Sequence, residues 1–318
     1  MERVILKNND KAINKPFHKS TKARKEAITA YLFVLPYVLL FLLFIVLPII
    51  VAIYLSFTKY DMISSPTING FSNYVYLLTS DDEFMRYILP NTLKYSLIVG
   101  PVGYGLSFLL AWLLAQIPHK SRTVLALLIY SPSLTAGITM AVVWKIIFAG
   151  DSTGYMNALL LRLNLIVEPI QWLQDSKYLF TIMIIVALWS SMGIGFLAML
   201  SGILNIDQSL YEAAYIDGMK SKWQEILYIT IPTMKPQMLF GAVMAIVNTF
   251  SAGSIGVQLS GSNPTPNYSG SLIVNHIEDY AYLRYDMGIA ATLSVLLLII
   301  IYLLSKVVFR LLGNREGE

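Results

Sequence analysis

Six long apolar blocks decide what this chain can become. They run approximately over 28–57, 89–117, 123–148, 179–204, 236–259 and 287–308. Each is long enough to supply the ~20 apolar residues that a helix needs to cross a bilayer core. Inside lipid the backbone must satisfy its own hydrogen bonds, which leaves helices and closed barrels. Leu, Ile and Val run through the blocks without the alternation of a lipid-facing strand. The expectation is an all-α membrane protein with six transmembrane helices. Composition agrees, because only 13% of residues are charged, against about 25% in soluble domains.

The first block is too long for a signal peptide, follows a polar stretch and has no small-residue cleavage site after it, so it reads as an anchor. Lys and Arg set the orientation. The stretch before the first block holds Arg3, Lys7, Lys11, Lys15, Lys19, Lys22, Arg24 and Lys25. Lys120 and Arg122 follow the second block, Lys220, Lys222 and Lys235 follow the fourth, and Lys306, Arg310 and Arg315 close the chain. The alternate loops hold only Lys59, Arg86, Arg162, Lys177 and Arg284. The basic side is the cytoplasm, so both termini are expected there, in a cytoplasmic membrane crossed several times. The division is a basic tail over 1–27, a membrane domain over 28–308 and a short tail over 309–318. The basic tail reads as a topology signal beside anionic lipid, and no nucleic-acid partner is expected. With no cysteine, the chain has no disulfide, no thiol nucleophile and no thiolate metal site.

No Asp or Glu lies inside any apolar block. Ion-coupled carriers bury acidic groups along the ion path, so a self-sufficient carrier is disfavoured. Lys94 and Lys145 sit near the outer ends, where lysines snorkel. His18, His119 and His276 lie outside the blocks, and no phosphate-binding glycine loop, zinc motif or intramembrane carboxylate pair is present. The chain is not expected to be an enzyme. If it moves a solute uphill, the energy comes from another polypeptide.

The polar residues within the blocks are uncharged. The substrate-pathway candidates are Trp189, Asn248, Ser251, Ser254 and Gln258. Tyr104, Ser107, Tyr130, Ser131, Ser133, Thr135, Ser190, Ser191, Ser201 and Thr249 are of the same character. Such groups either hold helices together or line a cavity for a neutral, hydroxyl-rich solute. The long loops over 58–88, 149–178 and 260–286 are rich in aromatics, as suits an interfacial belt or a docking surface for an outside partner.

One stretch between the fourth and fifth blocks reads as soluble structure: SLYEAAYIDGMKSKWQEILYITIP, Ser209 to Pro232. Ser209 and Glu212 fit a capping box, and Ser221 and Gln224 a second. Asp217-Gly218 ends the first helix with a left-handed glycine. Trp223, Ile226, Leu227, Thr230 and Ile231 follow at helical spacing, a stripe expected to lie on the core. The stretch is either an ordinary connector or a docking element for another protein.

This stretch resembles the coupling loop of the permease subunits of ABC importers, whose pattern is Glu-Ala-Ala, three residues, Gly, about nine residues, then Ile-x-Leu-Pro. Here Glu212-Ala213-Ala214, Gly218 and Ile229-Thr230-Ile231-Pro232 match. Ten residues rather than nine separate Gly218 from Ile229, and the surplus is expected in the turn between Gly218 and Trp223. ITAYLFVLPYVLLFLLFIVLPIIVAIYLSFTKYD, FSNYVYLL, PNTLKYS, AVVWKIIFAGDSTGYMN and LSGSNP also resemble segments of the carbohydrate-uptake members, above all the core of the larger maltose permease subunit. The resemblance implies a type I importer permease fold and a coupling loop over 205–235. It implies ATPase coupling through Glu212, Ala213, Ala214, Asp217 and Gly218. The implied partners are a second homologous permease subunit, two ATPase subunits that bind ATP and Mg, and an extracytoplasmic solute-binding protein that delivers a sugar. This chain itself would hold no cofactor and no metal. A glycerol-phosphate compound is the alternative cargo.

Overall fold

The computed structural model describes residues 21–135 and 137–313. The expectations for the rest of the basic tail and for 314–318 lie outside the described residues. The chain divides into two compact units, Met1–Ala52 and Ile53–Glu318. In the first, an α-helix over Thr21–Phe41 passes through a π-helical turn at Leu42–Val46 into a further helix, Leu47–Ser56. Unbranched and γ-branched apolar residues favour the helix. It begins ahead of the apolar block.

Three more helices are long and apolar enough to cross a membrane: Phe84–Ala115, Ser176–Leu204 and Met287–Leu312. The third and fifth blocks are bent pairs, His119–Leu134 with Thr139–Ile147, and Lys235–Phe250 with Ser254–Ser260, the latter bent by 50°. Ser176–Leu204 is itself interrupted, since regular helix stops at Trp189 and resumes at Ile194. Pro132 lies in the last turn of His119–Leu134, just ahead of the first break.

Small residues let the helices meet. A Cβ at Gly195 would lie 3.3 Å from the Gly241 Cα, and one at Gly103 would lie 3.0 Å from the Ser191 Oγ. This draws Phe84–Ala115, Ser176–Leu204 and Lys235–Phe250 into close packing. Ala111, Leu114, Phe196, Met199, Met234 and Met238 form one buried cluster around that crossing. A second, with Leu179, Met183, Val186 and Leu259, lies towards the long loops. A third joins Leu77, Phe84 and Ile88 to Ile273 and Leu293.

The loops at that end are well made. Thr58–Lys59 and Thr67–Ile68 pair as two short antiparallel strands. Asn73 donates to the carbonyls of Ser56 and Thr58, at 3.0 and 2.9 Å. Asn157 donates to the carbonyls of Ala149 and Ile170 and accepts from the Trp172 indole at 2.8 Å. Asp81 is buried, at 3.0 Å from His276 Nε2, and accepts from Tyr280 Oη at 2.8 Å and from the Phe84 N–H at 2.9 Å. Burial opposes its charge, but the bonds from His276, Phe84 and Tyr280 hold Asp81 below its ordinary range. Arg284 and Tyr268 both donate to Glu83 beside it. These bonds tie the start of Phe84–Ala115 to the segment before Met287–Leu312.

Candidate functional site

Two features carry chemistry. The first is a cavity of about 610 Å³. Its walls include Tyr95, Gly103 and Tyr104 from Phe84–Ala115, Ser133 to Thr135 from the bent pair, and Ser190, Ser191 and Gly193 from the interruption. Asn248, Thr249, Gly253, Ser254 and Gln258 complete it from the second bent pair. All three helix breaks, at Thr135, at Ser190–Gly193 and at Ser251–Gly253, supply residues to this wall or adjoin it. Non-helical backbone at membrane depth survives where protein buries it or where it borders a water-filled space. The breaks therefore mark the cavity as a polar chamber among apolar helices.

Of the sequence candidates, Asn248, Ser254 and Gln258 line the cavity. Trp189 and Ser251 lie off it. Trp189 is exposed and packs edge-on against Trp144, with ring centroids 5.5 Å apart. Ser251 caps the C-terminus of Lys235–Phe250 and points away as the chain turns at the break. Polarity alone put these two with the others, but the bends change which side of each helix faces inward. Tyr104, Ser133, Ser190 and Ser191, polar residues of the apolar blocks, share the wall, and Tyr95, within the apolar run of Phe84–Ala115, joins them.

The second feature is the connector over 205–235. Its first helix is Gln208–Ile216, and Asp207 rather than Ser209 caps it. The Ser209 N–H donates to Asp207 Oδ1 at 2.9 Å, and this bond holds Asp207 below the usual carboxylate range. The earlier start puts Glu212 beyond the first turn, too far along to reach the cap, so it projects from the helix exposed. The helix closes as expected. Gly218 takes φ +95°, its N–H donates to the Tyr215 carbonyl at 3.2 Å, and the Met219 N–H donates to the Ala214 carbonyl at 3.0 Å. This pair of bonds satisfies carbonyls that the helix end would leave open.

Ser221 and Gln224 form the second capping box. Beyond it, Ile226–Thr230 is a π-helical turn. A π turn holds one residue more than an α turn. The turn shifts the phase of the helix from that point on. Thr230 donates to the Glu225 carbonyl at 3.3 Å, satisfying an acceptor at the widened turn. The phase change also corrects the apolar stripe. Ile226 and Thr230 are buried together with Glu225, Ile229 and Met234, and Ile231 is half-buried. Trp223 and Leu227 face outward instead.

The two short helices are pinned to each other. Buried Glu225 accepts from Tyr215 Oη at 2.8 Å and from Lys222 Nζ at 2.6 Å, which raises the Lys222 pKa. Tyr211 and Thr230 hydroxyls lie 3.2 Å apart. The outer surface remains apolar, with Ile216 86%, Trp223 72% and Tyr228 74% exposed around exposed Glu212 and Ala213. Large exposed apolar side chains on a folded connector suit an interaction surface.

Comparison with known proteins gives the family of the chain. The arabinooligosaccharides transport system permease protein AraP of Bacillus subtilis is 30% identical over 91% of this chain and 90% of its own length. The probable ABC transporter permease protein YesP of the same organism is 29% identical over 92% and 93%. In fold, the chain matches a subunit of a bacterial ABC transporter involved in the import of the acidic polysaccharide alginate. That match has a TM-score of 0.76 and 24% identity, covering 94% of this chain and 99% of that one. Residues 103–315, which hold most of the cavity and the whole connector, match a family model. The chain belongs to the family of binding-protein-dependent transport system inner membrane components, and is a multi-pass membrane permease.

Proposed function

We propose that the chain is a pathway-forming subunit of an ATP-driven importer in the bacterial cytoplasmic membrane, with carbohydrate as its cargo. The observation that carries this reading is the meeting of three helix breaks on one uncharged polar cavity. Sugars suit such a wall, because hydroxyls pair with neutral side chains and sugar faces stack on tyrosines such as Tyr95, Tyr104 and Tyr130. The permease relatives named for arabino-oligosaccharides and lactose support the same cargo. Phosphorylated solutes fit poorly, since no lining residue among the described ones is basic.

In this reading six transmembrane helices place both termini and the 205–235 connector in the cytoplasm. An ATPase subunit grips Gln208–Ile216 through Glu212, Ala213 and Ala214, and the bonded turn at Asp217-Gly218 fixes the helix against its neighbour. Two such ATPases bind ATP and Mg, a second homologous permease completes the pathway, and an extracytoplasmic binding protein delivers the sugar to the long loops. Alginate import by the transporter of like fold, solved with its periplasmic protein bound to alginate pentasaccharide, supports that assembly.

The test is reconstitution with the ATPase, partner permease and binding protein in liposomes. Sugar-stimulated ATP hydrolysis and uptake are expected, and Glu212→Lys abolishes both while the chain stays in the membrane. Full uptake by Glu212→Lys at equal expression would refute the coupling assignment. ATP hydrolysis by the purified chain alone would refute the division of labour.

A further inference from the structure

The hydrogen-bond polarity of the cavity narrows the cargo further. A serine or threonine hydroxyl has one proton to donate and two lone pairs. Around the cavity five of those protons are already committed. Ser133 donates to the Tyr130 carbonyl at 2.7 Å, Ser190 to Val186 at 3.1 Å and Ser191 to Leu188 at 2.7 Å. Thr249 donates to the Ala245 carbonyl at 2.8 Å, and Thr135 to Ser131 at 3.3 Å. Each is a local bond back into its own helix. What these five hydroxyls offer the cavity is therefore lone pairs. On the donor side stand the Asn248 and Gln258 amides and the hydroxyls of Tyr95, Tyr104, Tyr130 and Ser254, of which that of Tyr104 is buried with no partner among the described residues.

Among the described residues, no Lys, Arg, His, Asp or Glu lines the cavity. The breaks do not substitute for a cation. At Trp189/Ile194 and at Phe250/Ser254 one helix ends where another begins, so each break sets a negative helix end beside a positive one. A carboxylate has no proton to give to those lone pairs and finds only neutral donors here. It would lose its hydration with no counter-charge, which is strongly unfavourable. A neutral saccharide supplies many O–H donors to those acceptors and several oxygens for those donors.

We propose that this cavity selects uncharged saccharides that donate hydrogen bonds and rejects acidic ones. The inference rests on the reading of the cavity as the solute pathway. The same fold serves a transporter of the acidic polysaccharide alginate, so the preference lies in the lining residues and not in the fold.

The chain has no cysteine, so a single thiol can report on the cavity. Ser190→Cys is placed in the complete permease–ATPase assembly in liposomes, without the binding protein, whose own selectivity would otherwise intervene. Alkylation of that thiol is followed by mass spectrometry of this chain, with arabinotriose, maltotriose or trigalacturonate added at equal concentration. At least one neutral trisaccharide slows alkylation about fivefold at high occupancy, and trigalacturonate leaves the rate unchanged. Protection by trigalacturonate equal to or greater than that by the neutral sugars overturns the inference while the carbohydrate pathway stands. Protection by none of the three overturns the pathway reading and the inference with it. Ser254→Cys, at the opposite wall, serves if the first variant fails to assemble.

Discussion

Gly218 offers a test in which backbone and contact effects have opposite signs. The residue sits at φ +95°, and a Cβ placed on it would meet nothing within 4 Å. Substitution therefore costs only the strain of a left-handed backbone. For alanine that is about 1–2 kcal/mol, or roughly a 5- to 30-fold shift in the population of the closed turn. Asparagine tolerates this region better, at a smaller cost. Proline cannot reach positive φ and has no N–H, so it also loses the bond to the Tyr215 carbonyl. Sugar uptake by the reconstituted importer should thus rank glycine, asparagine, alanine, proline, with proline near background. A partner groove that merely needs the space would rank the smaller alanine above asparagine. That order, or normal uptake by Gly218→Pro, would refute the turn as the basis of coupling.

Two further outcomes follow from the packing. Gly195→Val should lower the thermal midpoint of the purified protein, because its Cβ would sit 3.3 Å from the Gly241 backbone and overpacking costs about 1–3 kcal/mol; an unchanged midpoint would mean that the crossing is loose. Asp81 has a lowered pKa in the folded chain, so its stabilisation is fully present above the ordinary carboxylate pKa of about 3.9 and is lost as pH falls through the lower folded value. Melting should be flat from neutral to mildly acidic pH and fall steeply only at stronger acidity, and Asp81→Asn should remove most of that fall while lowering stability near neutrality.

Much of this protein is legible without coordinates. Hydrophobic runs of bilayer length can become little but helices, so the membrane class follows from lipid's intolerance of unpaired backbone. The second capping box and the left-handed Gly218 are local events between residues a few positions apart, and local sequence specifies them. The first cap was misplaced because Ser209 and Asp207 both cap well, and only the observed start of the helix chooses between them. The apolar stripe failed for a related reason, since a π turn leaves no mark in a pattern read at a constant 3.6 residues per turn.

What tertiary structure alone decided is the cavity. The polar residues of the apolar blocks are visible as a set, but their facing directions depend on bends at Thr135, Ser190–Gly193 and Ser251–Gly253. Those bends bring Asn248, Ser254 and Gln258 onto the wall with Ser190 and Tyr104, and turn Trp189 and Ser251 away. Likewise Asp81 and His276 lie 195 positions apart, and their buried pairing exists only because two loops fold onto each other. Sequence by itself determined that this chain lives in lipid and carries one exposed, capped connector, because hydrophobicity and capping act locally. The chamber and its hydrogen-bond polarity depend on the relative rotation of distant helices, which close packing of small residues sets in three dimensions.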